Sequence, residues 1–92
     1  MYGYVYMTIC KVNNKKYIGK HAKPQFDNNY YGSSISLKEE IKMLGKENFV
    51  VVVLDWAQDK EELENLEAEW ISKSGAVTSE EYYNAYPGVK NQ

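Results

Sequence analysis

From Asn48 to Trp56 the chain reads NFVVVVLDW, and no other stretch of its 92 residues restricts the fold as much. Four consecutive valines behind a phenylalanine favour extended backbone, because β-branched side chains suit a pleated surface and lose rotamer freedom in a helix. The run is far short of the roughly 18 apolar residues that would span a membrane. It is also too uniformly apolar for a strand with one face in water. The expectation is the central strand of a small sheet, covered by the rest of the chain.

Two shorter strands precede it. Residues 4–12 alternate, with Val5, Met7 and Ile9 on one face and Tyr4, Tyr6, Thr8 and Cys10 on the other. Lys15–Lys20 reads as the second strand of a hairpin. Asn13 and Asn14 tolerate the left-handed conformations of a two-residue turn. That turn sets Cys10 opposite Tyr17 and Tyr6 opposite His21, so that Tyr6, Tyr17 and His21 share one surface. Residues 22–34, with Pro24, Asn28, Asn29 and Gly32, read as loop. Ser36 with Glu39 forms a capping box ahead of Leu37, Ile41 and Leu44, and Gly45 ends that helix. Lys38, Lys42 and Lys46 make one basic row along it. Asp59 with Glu62 caps a second helix, and TSEEYYNAYPG is an irregular packed tail with a Pro87–Gly88 stop. The order is β-β-α-β-α: an α+β fold with a small three-stranded antiparallel sheet flanked by helices, in one domain over residues 1–92.

Composition narrows the function. Cys10 is the one cysteine, which excludes an internal disulfide and fits a reducing cytoplasm. On a strand it reads as a small buried hydrophobe. One Cys and one His cannot supply a four-ligand zinc site. The opening residues lack the charged-then-apolar layout of a signal peptide. The formal net charge of −2 hides a strong segregation. Residues 1–46 hold eight lysines against Asp27, Glu39 and Glu40, a net +5, whereas residues 47–92 hold three lysines against ten acids, a net −7. This is either a polyanion-facing front with a solvating back, or one acidic helix that dominates its half. Every basic residue is lysine, so phosphate would meet point charges and no bidentate guanidinium.

The second helix carries an anomaly. Its buried stripe should be 63, 66, 67, 70 and 71, and position 67 is Glu among Leu63, Leu66, Trp70 and Ile71. Such a carboxylate must be neutralised by a proton, a lysine or a divalent cation, or else reach past the stripe's margin to water.

YVY (4–6) and YIG (17–19), followed in order by GKENF (45–49), EAEWI (67–71) and YYN (82–84), resemble the motifs of the GIY-YIG nuclease superfamily. The likeness is greatest to the catalytic module of bacteriophage-type, intron-like homing endonucleases. Each motif alone is weak, but the five in order span nearly the whole chain. The resemblance implies a metal-dependent DNA endonuclease that leaves 5′-phosphate and 3′-hydroxyl ends. By it, Tyr6 is the general base toward the attacking water, and Tyr17 bonds the scissile phosphate or that water. Gly19 permits close backbone approach. Glu67 ligates one Mg²⁺ or Mn²⁺, which stabilises the departing oxygen, and Asn84 holds the phosphate or the local structure. Lys23, Lys38 and Lys42 would meet the DNA.

A phenol with a reference pKa near ~10 is a poor base at neutral pH unless neighbouring cations lower it. Lys20, His21 and the hairpin lysines are expected to do so, with His21 accepting or orienting the Tyr6 proton. Two departures stand out. Tyr4 occupies the place of the first motif's glycine, and the family's arginine after the second motif is absent, with His21, Lys20 or Lys23 left to replace it. Taken singly, Tyr6 and Tyr17 are ordinary strand aromatics, His21 a loop-edge residue and Asn84 a cap or turn residue. YYGSS (30–34) reads as flexible loop, with a phosphate cradle as its rival. The runner-up function is a catalytically silent nucleic-acid-binding or protein-inhibiting module on the same scaffold. The resemblance further implies action inside a phage-infected bacterial cytoplasm. DNA is the expected partner, with a homodimer or a separate DNA-binding region supplying what one site cannot.

Overall fold

A computed structural model describes residues 1–84, so the expected Pro87–Gly88 stop lies outside the described residues. Strands β1 (Gly3–Cys10) and β2 (Lys16–His21) form the hairpin; helix α1 (Ile35–Leu44), a 3₁₀ turn (Lys46–Asn48), strand β3 (Phe49–Ala57) and helix α2 (Lys60–Ser74) follow. The three strands make one antiparallel sheet in the order β2-β1-β3. This is the expected α+β architecture. Among the described residues, no helix is long and apolar enough to cross a membrane.

The valine-rich run is an edge strand, not the central one. The strand with a neighbour on each side is β1, and it is buried along most of its length. Val50 and Val52 of β3 are 40% and 45% exposed. The physical reason is coverage: apolar, β-branched composition measures what a strand can bury, whereas two short helices hide only part of each sheet face. Between Val5 and Tyr6 the pairing with β3 slips by one residue, at Leu54. This bulge lets Leu54 join the α2 cluster while Trp56 packs on Tyr4.

Alternation along the strands sends two sets of side chains to opposite faces. Val5 and Ile18 meet Leu63 of α2, with Leu66, Trp70 and Ile71 packed around them. On the other face Cys10, Phe49, Leu37 and Tyr83 form a second cluster, joined by Tyr17, Tyr31, Ile41 and Leu44. Cys10 is buried and free, as its strand position implied.

Two local expectations change. The hairpin loop is four residues, not two: Cys10 N donates to Lys15 O (2.8 Å) and Asn14 N to Cys10 O (2.8 Å). Asn14 alone takes positive φ, 64°, and the Asn13 side-chain oxygen accepts from Lys15 N (2.9 Å), so local side-chain bonding stabilises the wider turn. Tyr6 consequently pairs with Gly19, Tyr4 with His21 and Thr8 with Tyr17. The slip is even, so the shared face survives. Helix α1 is capped by Ser34, whose hydroxyl accepts from Leu37 N (3.3 Å); Ser36 lies inside the first turn and bonds the capping hydroxyl (3.1 Å). Lys46 falls in the 3₁₀ turn, which leaves Lys38 and Lys42 as the helical part of the basic row. At α2 the cap is as expected, with Glu62 N donating to Asp59 (2.8 Å) and Glu62 accepting from Gln58 N (2.6 Å).

The tail closes the free edge of β2. Lys16 N donates to Glu81 O (2.9 Å) and Tyr83 N to Lys16 O (2.6 Å). One step further, the Asn84 side chain accepts from Ile18 N (2.8 Å) and donates to Ile18 O (2.7 Å), so an amide stands in for the next strand residue.

Candidate active site

Tyr6 is 1% exposed at the middle of β1, and its ring lies across β2 over Gly19. A Cβ at Gly19 would stand 2.5 Å from the Tyr6 hydroxyl and 2.8 Å from the Tyr17 ring. Only a residue without a side chain lets the two phenols meet here. Tyr17, on the same face, has its ring centroid 6.2 Å from that of Tyr6 and its hydroxyl 3.4 Å from Ser33 Oγ. Pairing along the sheet thus gathers the two motif tyrosines.

Glu67 arrives from the other face of the sheet. The stripe on α2 is the expected one, and Glu67 is half-buried within it, its side chain 23% exposed. Lys20, which alternates toward α2, places Nζ 3.5 Å from Glu67 Oε1. Of the three ways to neutralise this carboxylate, the protein alone shows the lysine. Lys20 is therefore committed to Glu67 and not aimed at a phenol.

The electrostatics of Tyr6 run opposite to the expectation. Its pKa is raised far above the ordinary phenol value, first by burial, then by the neighbouring Tyr17 and Tyr30 phenols, a hydrogen-bonding interaction with Tyr30 and the Glu67 charge. Loss of water outweighs the lysines, which are exposed or already paired. The free protein holds Tyr6 as a neutral phenol.

His21 is not opposite Tyr6. It pairs with Tyr4, edge to face with centroids 5.8 Å apart, and its Nε2–H donates to Asp27 Oδ2 at 3.3 Å. Its ring stacks on Tyr30 at 3.8 Å with planes 10° apart. Tyr30 in turn meets the Tyr6 ring edge on, with centroids 5.7 Å apart. In the place expected for His21, Tyr6 thus has Tyr30, from the loop that reads as flexible in the sequence. That loop is pinned at two points. Asp27 N donates to the Tyr4 hydroxyl (3.0 Å), and Thr8 Oγ1 donates to Tyr31 O (2.5 Å). Tyr4, the departure from the first motif, therefore anchors the loop. A signal was present: two tyrosines before a glycine, in a segment with no strand or helix to pack them. Gly32, at φ 139°, fits closely against Leu37 and Tyr17.

The remaining candidates sit apart. Lys23 is exposed on the loop, Lys38 and Lys42 are exposed on α1, and the Asn84 amide is engaged with Ile18. Among the described residues, no group of three or more His, Cys, Asp or Glu could hold a metal ion. The oxygen donors the candidates offer are the Glu67 carboxylate and the Tyr6 and Tyr17 phenols, a hard set that suits a cation retaining most of its water. Chemically, the arrangement offers one buried and one half-buried phenol over a glycine that admits close approach, with a carboxylate–ammonium pair on the α2 side of the same strand.

The GIY-YIG catalytic domain family matches residues 2–84 of this chain. "Putative endonuclease segE" of Enterobacteria phage T4 is 38% identical over 88 residues, 96% of this chain and 42% of the relative. "Putative endonuclease segB" of the same phage is 38% identical over 91 residues, 99% of this chain and 38% of the relative. "Endonuclease segA", also of phage T4, is 32% identical over 71 residues, 77% of this chain and 32% of the relative. The chain thus spans about two-fifths of the length of the first two. No solved structure matches.

Proposed function

The chain belongs to the GIY-YIG catalytic domain family, and on that premise we propose that it is a divalent-metal-dependent endonuclease that hydrolyses a phosphodiester bond of DNA. The observation that carries the reading is the Tyr6 hydroxyl over Gly19, beside Tyr17 and within the field of Glu67. GIY-YIG nucleases generally use a divalent metal, and Mg²⁺ or Mn²⁺ is the reading for this chain, held by Glu67 and water. When bound, the ion supplies charge stabilisation to the departing 3′ oxygen.

The chain's own residues do the rest. Tyr17 hydrogen-bonds the scissile phosphate or the water. Tyr6 takes the proton of the attacking water as the phosphodiester opens. Its neutral resting state is set first by burial and only last by the Glu67 charge, so that role is conditional on the positive charge and water that cation and substrate would bring to the site. Lys20, ion-paired with Glu67 here, would be free to meet the phosphate once Glu67 held a cation. Lys23, Lys38 and Lys42 contribute attraction for the DNA backbone. One site cuts one strand, so two-strand cleavage requires a second copy or successive nicks.

The pairing of Glu67 with Lys20 favours a second reading, in which the domain binds DNA without cutting it. Nicking of a supercoiled plasmid with and without Mg²⁺ separates the two. Wild type should nick only with metal, and Glu67→Ala should abolish nicking while leaving the circular dichroism spectrum unchanged. Full activity in Glu67→Ala would overturn the metal-holding role, and wild type that binds plasmid but never nicks it would establish the second reading.

A further inference from the structure

Three features lie outside the two-tyrosine, one-carboxylate scheme: the apolar patch on β3, the acidic groove along the start of α2, and the stack of side chains behind Tyr6. Only the last points to a particular task.

Asp27, His21, Tyr30 and Tyr6 succeed one another in contact. The Asp27 carboxylate accepts from Asn29 N (3.0 Å) and from His21 Nε2 (3.3 Å), and both bonds hold its carboxyl below the usual carboxylate range. His21 offers the flat face on which Tyr30 lies at 3.8 Å. Tyr30 lies between the two pins of its loop, Asp27 on Tyr4 and Tyr31 on Thr8, and its own N–H donates to Asp27 O (3.2 Å). The ring is thereby fixed from below, from behind and through the backbone. What it presents to Tyr6 is an edge-on ring contact, with centroids 5.7 Å apart.

We propose that Tyr30 is a positioning residue that holds the Tyr6 hydroxyl in one orientation, and that His21 serves it as a stacking platform. The histidine's part is then planar packing on Tyr30, with no proton passed to or from Tyr6. The groups that face Tyr6 are Tyr17 from β2, Tyr30 from the loop and Tyr4 along its own strand, while Glu67 acts on it only through its charge and carries Lys20 as its counter-charge. Among these, Tyr30 is the one that meets the Tyr6 ring edge on while its own ring rests flat on His21, and the bond to the phenol is assigned to its hydroxyl. An oriented base matters because proton transfer from water needs the acceptor within hydrogen-bond reach and correctly aimed.

The proposal rests on Tyr6 being the base, so its test includes a readout independent of cleavage. Exchange of the Tyr6 hydroxyl proton can be followed at neutral pH from the ζ-carbon signal of labelled tyrosine in mixed light and heavy water, assigned by its loss in Tyr6→Phe. Tyr30→Phe should speed that exchange by up to about tenfold, the scale of one lost neutral hydrogen bond. His21→Ala should do the same, whereas His21→Phe keeps a stacking plane and should stay near wild type. In plasmid nicking, Tyr30→Phe should lower kcat by a similar factor with KM for DNA unchanged. An unaltered exchange rate in Tyr30→Phe overturns the proposal, and His21→Phe behaving as His21→Ala overturns the platform. Wild type without nuclease activity would defeat the nuclease reading, while the exchange rates would still decide this one.

Discussion

At Gly19 the sheet leaves 2.5 Å between a would-be Cβ and the Tyr6 hydroxyl. Gly19→Ala should therefore displace Tyr6 from Tyr17, lowering nicking at least about tenfold and stability by about 1–3 kcal/mol through overpacking. Plasmid assays and urea denaturation measure the two effects separately. Tyr6 itself makes stability depend on pH. Its folded pKa lies above the unfolded value of 10.0, so its contribution is complete below about pH 10. Above that, the unfolded chain sheds a proton that the folded chain keeps, and stability should fall by about 1.4 kcal/mol per pH unit from this group. Urea denaturation between roughly pH 9 and pH 11 should show the decline, less steep in Tyr6→Phe. That Tyr6 and Tyr17 share a face was legible in the sequence because side-chain alternation is a local property. The direction of the Tyr6 shift was not, since it is set by burial and by Tyr30 and Glu67, far away in the chain.

The elements follow their local signals until a neighbour decides otherwise. The stripe of α2 was readable from spacing, and its Asp59 cap formed as written. For α1 the capping box pointed to Ser36, yet Ser34 makes the bond to Leu37 N. A serine at either position satisfies the pattern; the Ser34 hydroxyl also donates to Tyr83 O (3.4 Å), a tertiary partner that spacing cannot reveal. Ser34→Ala should accordingly lower stability by about 1 kcal/mol, and Ser36→Ala by much less. Thermal unfolding of both variants checks this, and equal losses would contradict the assignment of the cap. The hairpin differs in a similar way. Asn13-Asn14 suggests a tight turn, but Asn13 bonds Lys15 N and widens it, moving His21 from Tyr6 to Tyr4.

Across the whole molecule, charge is divided along the chain, with eight lysines in residues 1–46 and ten acids in residues 47–92. If the lysine-rich half meets DNA, affinity should fall steeply with salt. Removing Lys38 or Lys42 should each reduce the slope of log affinity against log salt by about 1, with fluorescence anisotropy on a short duplex as the measure. The acidic α2 nevertheless brings Glu67 to the Lys20 side of β2, so the two halves are interleaved and not opposed.

What the sequence determined by itself were quantities of short range: which segments are strands and helices, which side chains share a face, and where the one carboxylate interrupts an apolar stripe. Periodicity and capping act over a few residues and leave their record there. The order of strands, the partner of Glu67, the raised pKa of Tyr6 and the stack of Tyr30 on His21 were decided only by tertiary structure. Each depends on how much surface two short helices can cover, and on water excluded by residues that meet only when the sheet has closed.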